Sequence, residues 1–233
     1  MSAYLSRIRL RADASAQSLA RLFLPEDDNR RAGAAHHWLW SLFADGPDRR
    51  RDFLWREEAA VGRGHFLTLS ARPPDDRHGL FEVETKAFEP ALVPGDRLRF
   101  RLRASFSLSL PAERGKRGKR VDPVAHALAA LPLAALPEAQ RPARKIAIQH
   151  EVTSRWLLAQ GGKAGFRLDQ LEEIAADDWR RLPRAGEKPV SFPVLDLDGL
   201  LTVEDPAVFL AALTAGFGRA RAFGCGLMLI RRA

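Results

Sequence analysis

An α+β fold made of two successive βαββαβ halves is the architecture this sequence predicts, on three observations. Two segments about 90 residues apart, YLSRIRLRA (4–12) and RLRFRLRA (97–104), alternate arginines with mostly apolar residues. That alternation marks strands with one buried and one basic, exposed face. The order of helical and extended segments after each strand is the same. Between the halves lies VPGD (93–96), whose Pro-Gly pair signals a turn and a boundary. The expected domains are 1–94 and 95–233.

Each element has its own signal. In the first strand Tyr4, Ser6, Ile8 and Leu10 share one face, and Arg7, Arg9 and Arg11 the other. Ala35, Leu39 and Leu42 follow helical spacing, which predicts a helix from about Asn29 to Phe43, ended by ADGPDRR. RDFLWREEA and GHFLTLSARP read as strands joined around Gly62 and Gly64. A weak helix near 73–80 and the strand FEVETKAFEPAL complete the ferredoxin-like order.

The second half opens with a strand over 97–110, in which Leu98, Phe100 and Leu102 oppose Arg97, Arg99, Arg101 and Arg103. The basic loop PAERGKRGKRVDP follows, then an alanine-rich helical region broken by Pro132, Pro137 and Pro142. A helix from about Lys145 to Gln160 should stop at Gly161-Gly162. FRLDQLEEI and SFPVLDLDGLLTV are strands around a polar connection. EDPAVFLAALTAGF is a helix with Asp205 as N-cap and Pro206 at its first position, and GLMLIRR is the last strand.

Composition narrows the functional classes. The 233 residues carry a formal charge of +8, and no apolar run approaches the ~20 residues that cross a bilayer. The N-terminus lacks the apolar core of a signal peptide, and a single cysteine forms no internal disulfide, so a cytoplasmic protein is expected. One cysteine also excludes a Cys-rich zinc site, and no metal or cofactor is expected. Residues 1–94 hold 14 basic and 14 acidic side chains, residues 95–120 nine and two, and residues 121–233 14 and 13. Nearly all the excess therefore lies in one short stretch, the footprint of a polyanion binder or of a solvated charged loop.

The stretch GFGRARAFGCGLMLI (216–230) tests two nucleotide-binding readings and fails both. A dinucleotide fingerprint needs three spaced glycines after a strand and before a helix. Here Gly216 and Gly218 follow a helix and the third position is Arg221. The GFG core of an RNP1 motif is present, yet Ala215 replaces its basic residue and Arg219 its stacking aromatic. What remains is a turn with Gly216, Gly218, Gly224 and Gly226, either packed against a sheet or presenting N–H groups to phosphate. Cys225 reads as a small buried residue within it.

The run LTVEDPAVFLAALTAGFGRARAFGCGLMLI (201–230) resembles the C-terminal signature of the repeat-associated RNA-processing superfamily. Within it the likeness is to the CasE/Cse family, the CRISPR precursor-RNA endoribonucleases of the type I-E Cascade complex. YLSRIRL resembles that family's first strand, HHWLWSLF (36–43) its first helix, and RWLLAQGGKAGFRL (155–168) its middle segment. The resemblance covers both halves. It implies metal-independent cleavage within the stem-loop of a CRISPR repeat, with the mature guide RNA retained alongside other Cascade subunits. It implies a 2′,3′-cyclic phosphate and a 5′-OH as products, and a histidine of the first helix as general acid or base.

The match puts that role on His36, with His37 in reserve. Neighbouring helical residues point about 100° apart, so His36 shares a side with Trp40 and Phe43, and His37 with Ser41. Family members can carry a tyrosine three residues before the histidine. Here that position is Gly33, and the only tyrosine is Tyr4, which shifts phosphate stabilisation to Arg or Lys. The expected RNA-binding residues are Arg114, Lys116, Arg117, Lys119 and Arg120 of the basic loop, with Lys163, Arg219 and Arg221. His65, His78, His126 and His150 match no motif position. The missing tyrosine keeps a non-catalytic RNA-binding subunit as the alternative, and a basic protein with a protein partner as a further one.

Overall fold

The computed structural model describes residues 3–11, 27–44, 46, 50–58, 64–111, 118–131, 136–184 and 187–233. Its first half holds β1 (Tyr4–Leu10), α1 (Asp28–Ser41), β2 (Phe53–Glu57), β3 (His65–Ser70) and β4 (Phe81–Ala87). These strands form an antiparallel sheet in the order β2-β3-β1-β4. Ser6 and Ile8 of β1 are buried while Arg7 and Arg9 are exposed, as the alternation requires. α1 lays Ala35 and Leu39 on this sheet, and Leu42 follows just past its end, in a core with Ile8, Phe53, Trp55, Phe66 and Phe81.

The second half holds β5 (Arg97–Ala104), the short hairpin β6 (Leu108–Ser109) and β7 (Arg120–Val121), and the helices α2 (Pro123–Ala129) and α3 (Arg141–Ala164). β8 (Phe166–Arg184), β9 (Glu187–Val203), α4 (Pro206–Ala215) and β10 (Met228–Arg232) follow. Its sheet order is β10-β5-β9-β8. Numbered within each half, both sheets read 4-1-3-2, the split-βαβ order of the ferredoxin-like fold. The fold is therefore α+β with two tandem ferredoxin-like sheets.

Several local expectations need correction. Residues 73–80, all described, form no helix; an irregular stretch ends there in a turn at 77–78 and a bend at 79. Pro73 and Pro74 remove two N–H donors, and the Asp76 carboxylate accepts from the N–H groups of Leu80 (3.3 Å) and Phe81 (2.8 Å). The strand expected over 97–110 is interrupted after Ala104 and resumes only as the short β6. α3 begins earlier than expected because Pro142 sits in its first turn, where a missing N–H costs nothing. It also runs through Gly161 and Gly162 to a left-handed cap at Gly165. Gly161 is instead a packing glycine, since a Cβ there would lie 2.4 Å from the Phe166 carbonyl oxygen.

The polar connection expected between two short strands is itself extended. β8 and β9 form one long hairpin, 19 and 17 residues, with register shifts that begin at Leu168. Its length carries β8 across to α1 in the first half. Asp205 caps α4 through the N–H groups of Ala207 and Val208, both at 3.0 Å, as expected. Among the described residues no helix is long and apolar enough to cross a membrane.

The arginine faces of β1 and β5 are matched by acids on other strands of the same sheets. Arg7 pairs with Glu84 at 3.3 Å and Arg9 with Glu82, both across the β1–β4 register. On β5, Arg99 meets Glu172 (2.6 Å), Arg101 meets Asp198 (3.3 Å) and Arg103 meets Asp196 (2.7 Å). Arg97 faces Asp169 at 3.7 Å. These strand arginines are therefore locally compensated.

Candidate active site

His36 stands on α1 where the first half meets the glycine-rich turn of the second. Its ring is half-buried, while His37 is exposed. His36 contacts the rings of His37 (5.4 Å between centroids), Trp40 (5.9 Å) and Phe223 (5.8 Å). Its Nδ1 is buried without a hydrogen-bond partner. Burial lowers the His36 pKa below the usual histidine value of 6.5, and the charges of His37 and Arg51 lower it further. The Ala222 carbonyl pulls weakly the other way. The net effect is an imidazole that is neutral near pH 7 and able to accept a proton.

Arg51, which no motif singles out, supplies the cation. It lies two residues before β2, with its Nη1 buried and unpartnered. Burial and the nearby Arg221 weaken its hold on the proton. A guanidinium remains protonated at neutral pH regardless. The only hint in the sequence is the run of three arginines at 49–51, which looks like a solvated turn.

The turn itself is closely packed. Gly216, Gly218, Gly224 and Gly226 all have positive φ, as does Ala220 at 52°. A Cβ at Gly216 would sit 2.7 Å from a Leu54 methyl, and one at Gly224 would sit 3.1 Å from the Trp55 ring. Both positions therefore require glycine. The N–H groups of Phe217, Arg219, Phe223 and Gly226 all donate to the protein's own carbonyls. Trp55 adds the cross-link, its indole N–H donating to the Ala222 carbonyl at 3.1 Å. This bond holds the 3-10 turn Arg221–Phe223, and with it the Phe223 ring, beside His36.

The expected RNA-binding residues are distributed unequally. Arg114, Lys116 and Arg117 lie outside the described residues. Lys119 and Arg120 stand exposed at the end of the β6–β7 loop, and Arg120 lines a cleft together with Arg219. Arg221 folds back instead, donating to the carbonyls of Gly218 (3.1 Å) and Ala215 (2.6 Å) at the end of α4. Lys163 is exposed in the last turn of α3 and does not line the cleft. Cys225 is fully buried, and that burial pushes its thiol up to about 12, so it is no nucleophile at neutral pH. His150 donates to or accepts from structural partners, the Leu171 carbonyl (3.1 Å) and the Ser154 hydroxyl (3.5 Å). Gly33 faces open space, one turn before His36.

Comparison with known proteins places this chain in a family. The model of the family described as CRISPR associated protein matches residues 3–232. The chain is 31% identical over 197 residues to the CRISPR-associated endoribonuclease Cse3 of Thermus thermophilus, covering 78% of this chain and 80% of that protein. It is 27% identical over 196 residues to the CRISPR system Cascade subunit CasE of Escherichia coli, covering 83% and 88%. A solved structure of Thermus thermophilus Cse3, bound to an RNA representing a pre-cleavage complex, superposes with a TM-score of 0.66. That pair is 27% identical, over 99% of this chain and 100% of the other. With a histidine at the seam of two ferredoxin-like sheets and a match along nearly its whole length, the chain belongs to the CRISPR-associated protein family that includes Cse3 and CasE.

Proposed function

We propose that this protein is an endoribonuclease that cuts CRISPR precursor RNA in the repeat stem-loop and stays on the mature guide RNA as a Cascade subunit. One observation carries the reading: a half-buried histidine with lowered pKa stands beside a guanidinium that has an unpartnered, buried Nη1. In this reading the chain works as two domains, 1–94 with the catalytic helix and 95–233 with the basic and glycine-rich loops. It acts in the cytoplasm.

His36, neutral at working pH, takes the proton of the 2′-OH next to the scissile phosphate. The 2′-oxygen attacks phosphorus in line, and the P–O5′ bond breaks. The products are a 2′,3′-cyclic phosphate and a 5′-OH, whose proton comes from a water molecule; the hydroxide left behind is neutralised by the proton that His36 then releases. Arg51 stabilises the charge that develops on the phosphate, a role that the absent tyrosine at Gly33 leaves to a cation. Lys119, Arg120 and Arg219, together with Arg114, Lys116 and Arg117, hold the RNA backbone. None of these steps uses a metal ion.

The test is cleavage of a repeat stem-loop RNA in excess chelator, with the product ends mapped. Site-specific cutting by the native protein is expected, abolished in His36→Ala while binding persists, and retained in His37→Ala. Tight binding without cutting by the native protein would instead support the non-catalytic RNA-binding subunit, the reading that Gly33 favours.

A further inference from the structure

A cleft of about 730 Å³, lined by Phe223 and not by His36, is walled by the β6–β7 hairpin, α2, β9 and the glycine-rich turn, and its Phe223 ring touches His36. We propose that this cleft receives an unpaired nucleobase of the RNA strand next to the scissile phosphate, stacked against Phe192 and Phe223. The proposal rests on the endoribonuclease reading above and names a subsite for its substrate.

The cleft's chemistry selects an unpaired base over a duplex. Val121, Val190, Phe192 and Phe223 give it mainly apolar walls. Phe192 and Phe223 lie 5.7 Å apart at 28°, a nearly parallel pair that offers aromatic surface to a third ring. Phe106, at the base, is itself stacked on Trp156 at 4.5 Å and 8°, so that wall is firmly supported. A duplex turns its phosphates and sugar edges outward and hides its bases, and it gains little from such walls. An unstacked base gains a stacking partner whatever its identity.

Charge and position agree with that occupant. Arg120 and Arg219 are both exposed lining residues, placed to meet the phosphates on either side of a seated base. Among the described lining residues the one carboxylate, Asp122, is turned onto the first turn of α2, where it accepts the Val124 N–H at 2.9 Å. Phe223 touches both His36 (5.8 Å) and Phe192 (5.7 Å), so the cleft begins one ring's width from the histidine. That is the reach of the neighbouring nucleotide.

The experiment uses the full chain and a repeat stem-loop RNA blocked by a 2′-deoxy sugar at the cleaved position. The unpaired nucleotide flanking that position, on each side in turn, is kept intact or made abasic. Stacking predicts that the abasic change at one of the two sides weakens wild-type binding roughly tenfold. Phe192→Ala should weaken binding of intact RNA by a similar factor, and combining it with that abasic change should add little. Val190→Glu, at an edge position 37% exposed, is the variant that keeps the fold. It should weaken binding of the flanked RNA while binding of the bare stem stays unchanged. Additive losses, or unchanged affinity in both variants as a cleft occupied by a protein segment would give, overturn the assignment. A wild-type protein that neither binds nor cuts the stem-loop defeats the endoribonuclease reading itself. Binding and cutting with no coupling between base and ring defeats the cleft alone.

Discussion

The indole N–H of Trp55, on the second strand of the first sheet, donates to the carbonyl of Ala222, in the glycine-rich turn of the second half, at 3.1 Å. Trp55 is 2% exposed and packs edge-on against Phe66, so its orientation is set by the first core. Through this bond the first half decides where Phe223 stands relative to His36. Trp55→Phe keeps most of the packing and deletes the donor. It should lower unfolding free energy in urea by about 1 kcal/mol, and Trp55→Ala by about 3–5 kcal/mol.

The pH dependence of cleavage follows from the lowered His36 pKa. The base form is required, so the rate should rise with pH through a value below 6.5 and then level off. Arg51 is one of the charges that hold the value down. Arg51→Gln should therefore shift this acidic limb to higher pH while lowering the plateau. Single-turnover rates from about pH 5 to 8 read both effects. On stability the same lowering acts against the fold at acid pH. Above the unfolded-state value both states hold a neutral imidazole and nothing is lost; as pH falls below it, the unfolded chain binds the proton more readily and the fold weakens.

Arg56, 3% exposed on β2, has its Nε 2.8 Å from Glu58 and its Nη2 3.7 Å from Asp196 of the second sheet. Asp196 also holds Arg103 at 2.7 Å. Removing Arg56 takes a buried cation out of the contact between the halves and leaves Asp196 to Arg103 and Glu58 to Arg101, at 3.9 Å. Arg56→Ala should cost about 1–3 kcal/mol by denaturant unfolding, since both carboxylates keep a cation.

Gly33 lies inside α1, and a methyl group at its Cα would meet nothing within 4 Å, so the missing side chain carries no packing benefit. Gly33→Ala should stabilise the protein by about 0.5–1 kcal/mol. A rise in melting temperature with unchanged RNA affinity is the expected observation.

Salt dependence separates the arginines that meet phosphate from those that meet carboxylates. Arg120→Ala and Arg219→Ala should each reduce the slope of log affinity against log salt by about 0.7–0.9. Arg99, held by Glu172 at 2.6 Å, should leave the slope unchanged when replaced by alanine.

Much of the architecture is legible along the chain because it depends on local periodicity. The apolar positions of β1 and β5, the Asp205-Pro206 start of α4 and the helical face of Ala35, Leu39 and Leu42 all follow from residues close in sequence. His36 is reached through a family likeness. The partners that shift its pKa are not visible there, because Arg51 and Ala222 approach it only in the folded chain. Arg221 shows the opposite case. In the sequence it looks free to meet phosphate, yet the turn curls far enough for its guanidinium to bond the Ala215 and Gly218 carbonyls.

Which faces are apolar, where the helices cap and where basic residues concentrate can all be read from the chain alone, since each is a matter of neighbours within a few positions. Which of those charges are compensated emerges only on folding. Arg103 meets Asp196, 93 residues away, through a register set by the whole β5–β9 pairing. The same long-range packing brings Trp55, Phe223 and Arg51 to the neighbourhood of His36, because contacts between distant strands depend on how two cores dock and leave no period in the chain.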